Sequence, residues 1–230
     1  MKSKNIVVII PAYNEENSVG KVVKDIPKSL VSNIIVVNNN SNDLTKVNAH
    51  DAGAIVVDEP IQGYGNACLK GMSFVSEMKT KPDIIVFIDA DYSDYPEEIV
   101  QLVKPILDEN FDMVIGSRAL GKRERGSMTP QQIFGNWLAT SLLKHFYKVS
   151  YTDLGPFRAI KYQKLLDLNM IDKTYGWTVE MQLKAAKQKF KITEVPVTYR
   201  VRIGHSKVSG TVKGTIMAGY KIITTIFKYL

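Results

Sequence analysis

Ile84-Ile-Val-Phe-Ile-Asp-Ala-Asp-Tyr-Ser-Asp94 is the stretch that decides how the rest of the chain is read. Its five consecutive apolar residues, rich in β-branched types, predict a strand buried on both faces. The strand ends in two carboxylates, Asp89 and Asp91, one residue apart. In an extended chain residues i and i+2 point the same way, so both carboxylates can converge just past the carboxyl end of a buried strand. That end is where open α/β sheets bind their ligands. Paired hard oxygens there suit Mg2+ or Mn2+, with a diphosphate supplying further oxygens. Taken alone, Asp-x-Asp reads better as a turn with solvated carboxylates. The flanking sequence reverses that.

Upstream, Asn5 to Ile10 predicts a first strand closed by Pro11, followed by the polar loop Pro11 to Asn17. Asn14 or Asn17 is placed to cap a helix whose Val19, Val22, Val23 and Ile26 form one stripe. Asn33 to Val37 predicts a second strand, ending in the polar loop Asn38 to Asp43, and Ala54 to Val57 a third. Gln62-Gly-Tyr-Gly65 then opens a helix. Downstream of the carboxylates, Pro96 starts another helix, and Asp112 to Ile115 predicts a fifth strand ending at Gly116-Ser-Arg118. Alternating strands and helices imply right-handed crossovers and a mostly parallel sheet with helices on both faces. The polar loops would then line one sheet edge as a single cleft.

Composition narrows the partners. The 230 residues are 45% apolar, enough for a globular core, and carry a formal charge of +7. That balance favours anionic partners such as nucleotide sugars, phospholipid surfaces or nucleic acid. No recognition-helix signature or aromatic stacking motif supports nucleic acid. One cysteine, Cys68, allows no internal disulfide and points to a reducing compartment. Only Met1 to Ser3 precede Lys4 and the first strand, so no signal peptide is expected. No run approaches the roughly 18 apolar residues of a spanning helix. A cytoplasmic chain is therefore expected, with contact at the inner face of the cell membrane left open. The position after the first strand lacks the Gly-x-Gly-x-x-Gly of a dinucleotide fold, and there is no Gly-rich triphosphate loop. The three histidines lack zinc spacing, and Ser41 and Ser117 lack a paired histidine.

The second half differs in character. Ala119 to Met128 is a basic loop with Lys122, Arg123 and Arg125, read either as solvated surface or as a flap over an anion. Gln131 to Val149 predicts a helix with Phe134, Leu138, Leu142 and Phe146 on one face. Asp153-Leu-Gly-Pro-Phe-Arg158 is a turn leading to a short strand, Gly176 to Met181 opens a helix, and Ile192 to Val201 predicts a strand. Trp137 and Trp177 read as packing residues, Trp177 alternatively as an acceptor contact. Residues 211–230 predict an amphipathic helix with Ile216, Met217, Tyr220, Ile223, Ile226 and Phe227 on one face and Lys213, Lys221 and Lys228 at its flanks. It suits an anionic bilayer, its own domain, or a second subunit in a homo-oligomer.

Together these motifs resemble the inverting glycosyltransferases of family 2, closest to the dolichyl- and polyprenyl-phosphate sugar transferases, the dolichyl-phosphate mannosyltransferase branch. The matching pieces are Pro11-Ala-Tyr-Asn-Glu15, Asn38 to Asp43, Gly63-Tyr-Gly65 with Ala67, Asp89-Ala-Asp91, Gly116-Ser-Arg118, Asp153 to Arg158, Trp177 to Glu180 and Arg200 to Gly210. They cover nearly the whole chain, each on the expected strand end. The resemblance implies the Rossmann-like GT-A fold as a single domain. Its nucleotide-sugar half would be 1–118, its acceptor half 119–210, and its terminal helix 211–230.

It also implies roles. Pro11, Tyr13 and Glu15 would hold the nucleoside, and Asn38 and Asn39 the base. Those two amides stand where the family has aspartates, which leans towards uridine over guanosine. Gly63 and Ala90 would line the donor site. Asp89 and Asp91 would hold Mg2+ or Mn2+ with the diphosphate, the usual third ligand falling at Ser93. Arg118, Arg125, Arg202, Lys207 and Ser209 would face the phosphates. A lipid phosphate acceptor, mostly dianionic at neutral pH, needs little base catalysis. A hydroxyl acceptor, as in the alternative of cell-envelope polysaccharide synthesis, needs a carboxylate base. Glu180 and Asp153 are the candidates for that base.

Overall fold

The computed structural model describes residues 4–204, 206 and 212–230, with backbone only at 212, 213 and 215. Seven strands form one sheet: β1 (Ile6–Ala12), β2 (Asn33–Asn38), β3 (Ile55–Asp58), β4 (Ile84–Phe87), β5 (Met113–Ser117), β6 (Arg158–Lys161) and β7 (Ile192–Pro196). The order is β3-β2-β1-β4-β6-β5-β7. Only β6 runs against its neighbours, slotted antiparallel between β4 and β5. The mostly parallel α/β sheet expected from the sequence is therefore present.

The central strand β1 shows why these residues make this sheet. All seven of its residues are buried. Ile6, Val8 and Ile10 join one hydrophobic core, while Val7 and Ile9 join the other, across the sheet. A strand covered on both faces gains from a continuous apolar run, each buried aliphatic side chain contributing about 1.5–3 kcal/mol. The strand does not stop before Pro11 but runs on to Ala12. Its ladder with β4 ends at Ile9, so Pro11 pairs only with Val37 of β2. A proline is tolerated where one side of the ladder is free.

Helices α1 (Val19–Asp25), α2 (Thr45–Asp51) and α4 (Ile99–Asp108) cover one face. Helices α3 (Tyr64–Glu77), α5 (Pro130–Tyr147), α6 (Tyr162–Asp167), α7 (Trp177–Lys187) and α8 (Val212–Lys228) cover the other. Three sequence expectations need correction. Ser18, not Asn14 or Asn17, precedes α1, and its hydroxyl bonds the Glu15 carboxylate (3.0 Å) instead of capping the helix. The last strand ends at Pro196 rather than Val201, since proline cannot donate to a continuing ladder. On α5 the fully buried residues are Ala139, Thr140 and Leu143; of the expected stripe Leu142 packs on the core, while Phe134 and Phe146 are exposed.

Candidate active site

Three loops at the carboxyl ends of β1, β2 and β4 meet on one edge of the sheet. Asn14, Asn40 and Tyr92 each take a left-handed backbone at the turn that leaves a strand. Asparagine adopts that conformation at small cost; tyrosine does not. Tyr92 is held there by its neighbours. Its hydroxyl bonds Asp25, and its ring stacks on the Arg200 guanidinium at 3.4 Å. The sharp turn after Asp91 brings Ser93 back, so that Ser93 N–H (2.9 Å) and Oγ (2.5 Å) both donate to Asp91 Oδ1. Ser93 thus aligns a carboxylate rather than facing the cleft itself.

The cleft holds a cavity of about 340 Å³ lined by Pro11, Tyr13, Glu15, Asn39, Gly63, Asp89, Ala90, Asp91 and Arg202. Every one of these was expected there. Asn38 is adjacent but turned aside: its amide donates to Asp58 (2.9 Å) and its oxygen accepts from Ser41 N–H (3.3 Å). Asn39 lines the cavity with a fixed amide. Its Nδ2 donates to the carbonyls of Glu59 (3.1 Å) and Ile61 (2.8 Å), and its Oδ1 accepts from Gly63 N–H (2.8 Å). Gly63, at φ +147°, and Gly65 leave no room for a side chain. A Cβ on Gly65 would stand 2.0 Å from Asp172 O.

Asp89 and Asp91 lie past the end of β4 at Phe87, Asp91 in the turn that follows, and both line the cleft. Asp91 Oδ2 sits 3.1 Å from Arg202 Nη1, and Arg202 Nη2 sits 2.7 Å from Glu15 Oε1. Among the described residues Asp89 Oδ1 is buried without a hydrogen-bond partner. Burial, with the Asp91 charge added, pushes its pKa up to about 7. An orphaned carboxylate oxygen beside a second carboxylate is a donor set that fits a hard divalent cation. Among the described residues no third acidic or imidazole group joins them, so a bound ion would draw its other ligands from the substrate.

A second cavity, about 350 Å³, shares Asp89, Asp91, Tyr64 and Arg202 with the first and leads away from it. Arg118 and Tyr199 form its wall, and Gly135, Asn136, Ala218, Gly219 and Ile222 of α5 and α8 form its far end. Asp153 grips Arg118 through Nε (2.8 Å) and Nη2 (2.7 Å). Burial alone would raise the Asp153 carboxyl; the guanidinium outweighs it and holds the group below the usual range.

Other candidates lie elsewhere. Glu180 is fully buried behind the cleft and accepts from Ile171 N–H, Asp172 N–H, Tyr229 Oη (2.6 Å) and Lys184. It lies in neither lining of the cleft and borders a separate cavity with Asp172 and Lys221, so this geometry lends no support to its reading as a catalytic base. Arg125 sits in an exposed loop outside both cavity linings. That loop is tied down by Glu124 N–H to Tyr199 O (2.8 Å). Trp177 is buried against Phe87, a core contact. Lys207 and Ser209 fall outside the described residues. Gln62, Tyr64 and Tyr175 line the cleft without having been singled out. Gln62 and Tyr64 stand in the quoted stretch Gln62-Gly-Tyr-Gly65, and only Tyr175 had no signal.

The chain matches the family model described as "Glycosyl transferase family 2" over residues 7–169. It is 30% identical to a UDP-N-acetylglucosamine–dolichyl-phosphate N-acetylglucosaminyltransferase of Methanococcus voltae, over 96% of this chain and 94% of that protein. A dolichyl-phosphate hexose transferase of Haloferax volcanii is also 30% identical, over 89% and 86%. Among solved structures, glucosyl-3-phosphoglycerate synthase from Mycobacterium tuberculosis, in complex with Mn2+, UDP and phosphoglyceric acid, superposes with a TM-score of 0.77. That match is 23% identical and covers 98% of this chain and 78% of that one, a likeness of fold.

Proposed function

The chain belongs to glycosyl transferase family 2, and from that premise we propose that it moves a sugar from a uridine-diphosphate sugar to the phosphate of a polyprenyl or dolichyl lipid, at a membrane surface. The second cavity carries this reading. It begins at Asp89, Asp91 and Arg118 and ends between α5 and α8, where Gly135, Ala218 and Gly219 leave a groove. Phe134, Trp137, Ile216, Met217 and Tyr220, on the same two helices, are all exposed. A head pocket with Arg118 and Arg202 that opens between two helices carrying exposed apolar side chains suits a phosphate on a hydrocarbon chain. Exposed aromatic residues on the same helices suit the boundary between headgroups and acyl chains. No described helix is long and apolar enough to cross a membrane, so the contact would be peripheral. The acceptors of the Methanococcus and Haloferax relatives point the same way.

The donor base follows from Asn39. Both of its N–H groups are spent on backbone carbonyls, and its oxygen already takes one N–H. It can therefore only accept, and through one remaining lone pair. Uracil offers a single imide N–H that matches. Guanine offers two adjacent donors and would leave one unpaired, at a cost of about 1–3 kcal/mol.

In the transfer the acceptor phosphate oxygen forms a bond to C1 as the bond from C1 to the diphosphate breaks, with inversion. A dianionic phosphate brings its own electron pair, so no proton need be removed. That fits a site where Asp153 is committed to Arg118 and Glu180 to the back of the fold. Mg2+ or Mn2+ held by Asp89 and Asp91 would neutralise the charge growing on the leaving diphosphate. Arg118 and Arg202 supply the fixed positive charge around it.

Incubating the protein with UDP- or GDP-linked sugars, Mn2+ and a short polyprenyl phosphate tests the reading. Sugar should appear on the lipid phosphate, from the uridine donor in preference. Transfer only to a saccharide hydroxyl would overturn the acceptor, and preference for the guanosine donor would overturn the base.

A further inference from the structure

The turn Asp153-Leu-Gly-Pro-Phe-Arg158 contains one charged residue that the chemistry above does not use. Arg158, the first residue of β6, is completely buried. Among the described residues its guanidinium donates only to backbone carbonyls. Nη1 reaches Thr178 O (3.0 Å), Nη2 reaches Leu154 O (3.2 Å) and Gly155 O, and Nε reaches Gly155 O (3.2 Å). Burial draws its pKa down to about 10, so it keeps its charge at neutral pH. The Asp153 carboxylate acts on Arg158 through space but is bonded to Arg118, and a buried cation with no ion pair of its own is costly to desolvate. If the position only needed filling, a leucine would do so without that cost.

What the fork holds is the turn that presents Asp153. Its carbonyl partners at 154 and 155 directly follow Asp153, and the third opens α7. Asp153 in turn fixes Arg118 at three points, through Nε, Nη2 and the backbone N–H (2.8 Å). Gly155 packs so tightly on β5 that a Cβ there would stand 2.9 Å from Gly116 O. Across the sheet Arg158 pairs with Phe87, the last residue of β4, and with Ile115 of β5, shortly before Asp89 and Arg118 in their chains.

We propose that Arg158 is a positioning residue for the transfer: its planar fork sets the 153–156 turn, the turn sets Asp153, and Asp153 sets where Arg118 enters the cleft. The role of Arg118 rests on the function proposed above; its placement by Arg158 does not. A lysine keeps the charge but offers no fork, and cannot hold carbonyls at two separate points in fixed geometry.

The test uses Arg158→Lys in the full chain. In 15N-labelled protein the Arg118 Nε–H, bonded to a buried carboxylate, should give a slowly exchanging signal, assigned by its loss in Arg118→Lys. Arg158→Lys is expected to shift or broaden that signal. It should also lower kcat by about 100-fold, the scale of a roughly 1 Å misplacement, with KM for the donor within about threefold. Adding Arg158→Lys to Arg118→Lys should cost nothing more. Asp153→Asn, which breaks the same chain one link later, should reproduce the effect if Arg158→Lys does not fold. An unmoved signal with unchanged kcat overturns the proposal. So does a loss of kcat that merely tracks lost uridine binding and lowered Tm. If the wild-type protein transfers nothing to polyprenyl phosphate, the acceptor assignment fails, while the Arg118 signal still judges the role of Arg158.

Discussion

Arg202 bonds Asp91 across the cleft, its Nη1 3.1 Å from Oδ2, with its Nη2 on Glu15. The two residues are 111 positions apart in the chain, and the segment carrying Arg202 is pinned beside Asp91 by Ile203 N–H to Asp91 O (3.0 Å). A guanidinium therefore already faces the carboxylate assigned to a metal ion. Arg202 and a divalent cation must share or exchange Asp91. Removing the guanidinium in Arg202→Gln should let Mn2+ alone bind about fivefold more tightly, a partly exposed ion pair being worth up to about 1 kcal/mol. Turnover should fall nonetheless, because a cation near the diphosphate is lost. Calorimetry with Mn2+ checks the first part; unchanged or weaker Mn2+ binding would show that Arg202 does not compete.

Asp89 gives the site a pH dependence. Its folded pKa, about 7, lies above the ordinary 3.8 because of burial and then Asp91. Between about pH 4 and 7 the folded protein holds a proton that the unfolded chain has released. Metal-free protein should therefore lose stability as pH rises through that window, by at most about 1.4 kcal/mol per pH unit from this group. Asp94, also raised by burial, acts in the same direction, so Asp89→Asn should reduce the slope without removing it. Mn2+ affinity should climb with pH and level off above about 7, since the ion binds the ionised carboxylate. Thermal melts in chelator from pH 4.5 to 7.5, beside Mn2+ titrations, read both. A flat Mn2+ affinity would mean that Asp89 is not a ligand.

Glu180 separates the two acceptor chemistries. Its carboxylate receives two backbone N–H groups, a tyrosine hydroxyl and a lysine. Glu180→Gln should cost about 2 kcal/mol, a charge-assisted network partly lost, and so lower Tm by roughly 4–8 °C. The kcat of folded variant should stay within about threefold of wild type. A loss beyond about 100-fold with Tm unchanged would return Glu180 to the role of base.

The difference between what the sequence disclosed and what it hid has a physical basis. Asp89 and Asp91 stood out because the buried apolar run leading to them is a local signal, although β4 itself stops at Phe87. The same holds for Tyr13, Glu15 and Asn39, which follow strand ends. The placement of Glu180 was not legible, because its partner Tyr229 lies 49 residues on and is brought near by the packing of α7 against α8. On α5 the periodic stripe is split: Leu142 packs against the core, while Phe134 and Phe146 at its ends are exposed. Periodicity reports that a face is apolar; it cannot say whether protein, ligand or lipid will cover it. Ala139 and Leu143, which do face the core, were outweighed in the pattern by larger neighbours. Arg158 was quoted within its motif, but nothing local marks an arginine as buried.

Trp137 offers the sharpest test of the outward face. It is 60% exposed on α5 and stacks on exposed Phe134, ring centroids 5.7 Å apart. A lone exposed aromatic is ordinary, but five large apolar side chains on two packed helices beside a cavity are not. If that face enters a bilayer interface, each side chain should contribute to binding roughly in proportion to its buried apolar area, about 25 cal/mol per Å². Trp137→Glu adds a charge where the reading requires desolvation. Sedimentation with vesicles containing anionic lipid should then show at least tenfold weaker binding than wild type. Tm should hold, because the residue packs on no core. Transfer to a long-chain polyprenyl phosphate in vesicles should fall in parallel, while transfer to a short soluble analogue should not. Vesicle binding unaltered in Trp137→Glu, or equal loss of transfer to both acceptors, would remove α5 from the membrane face.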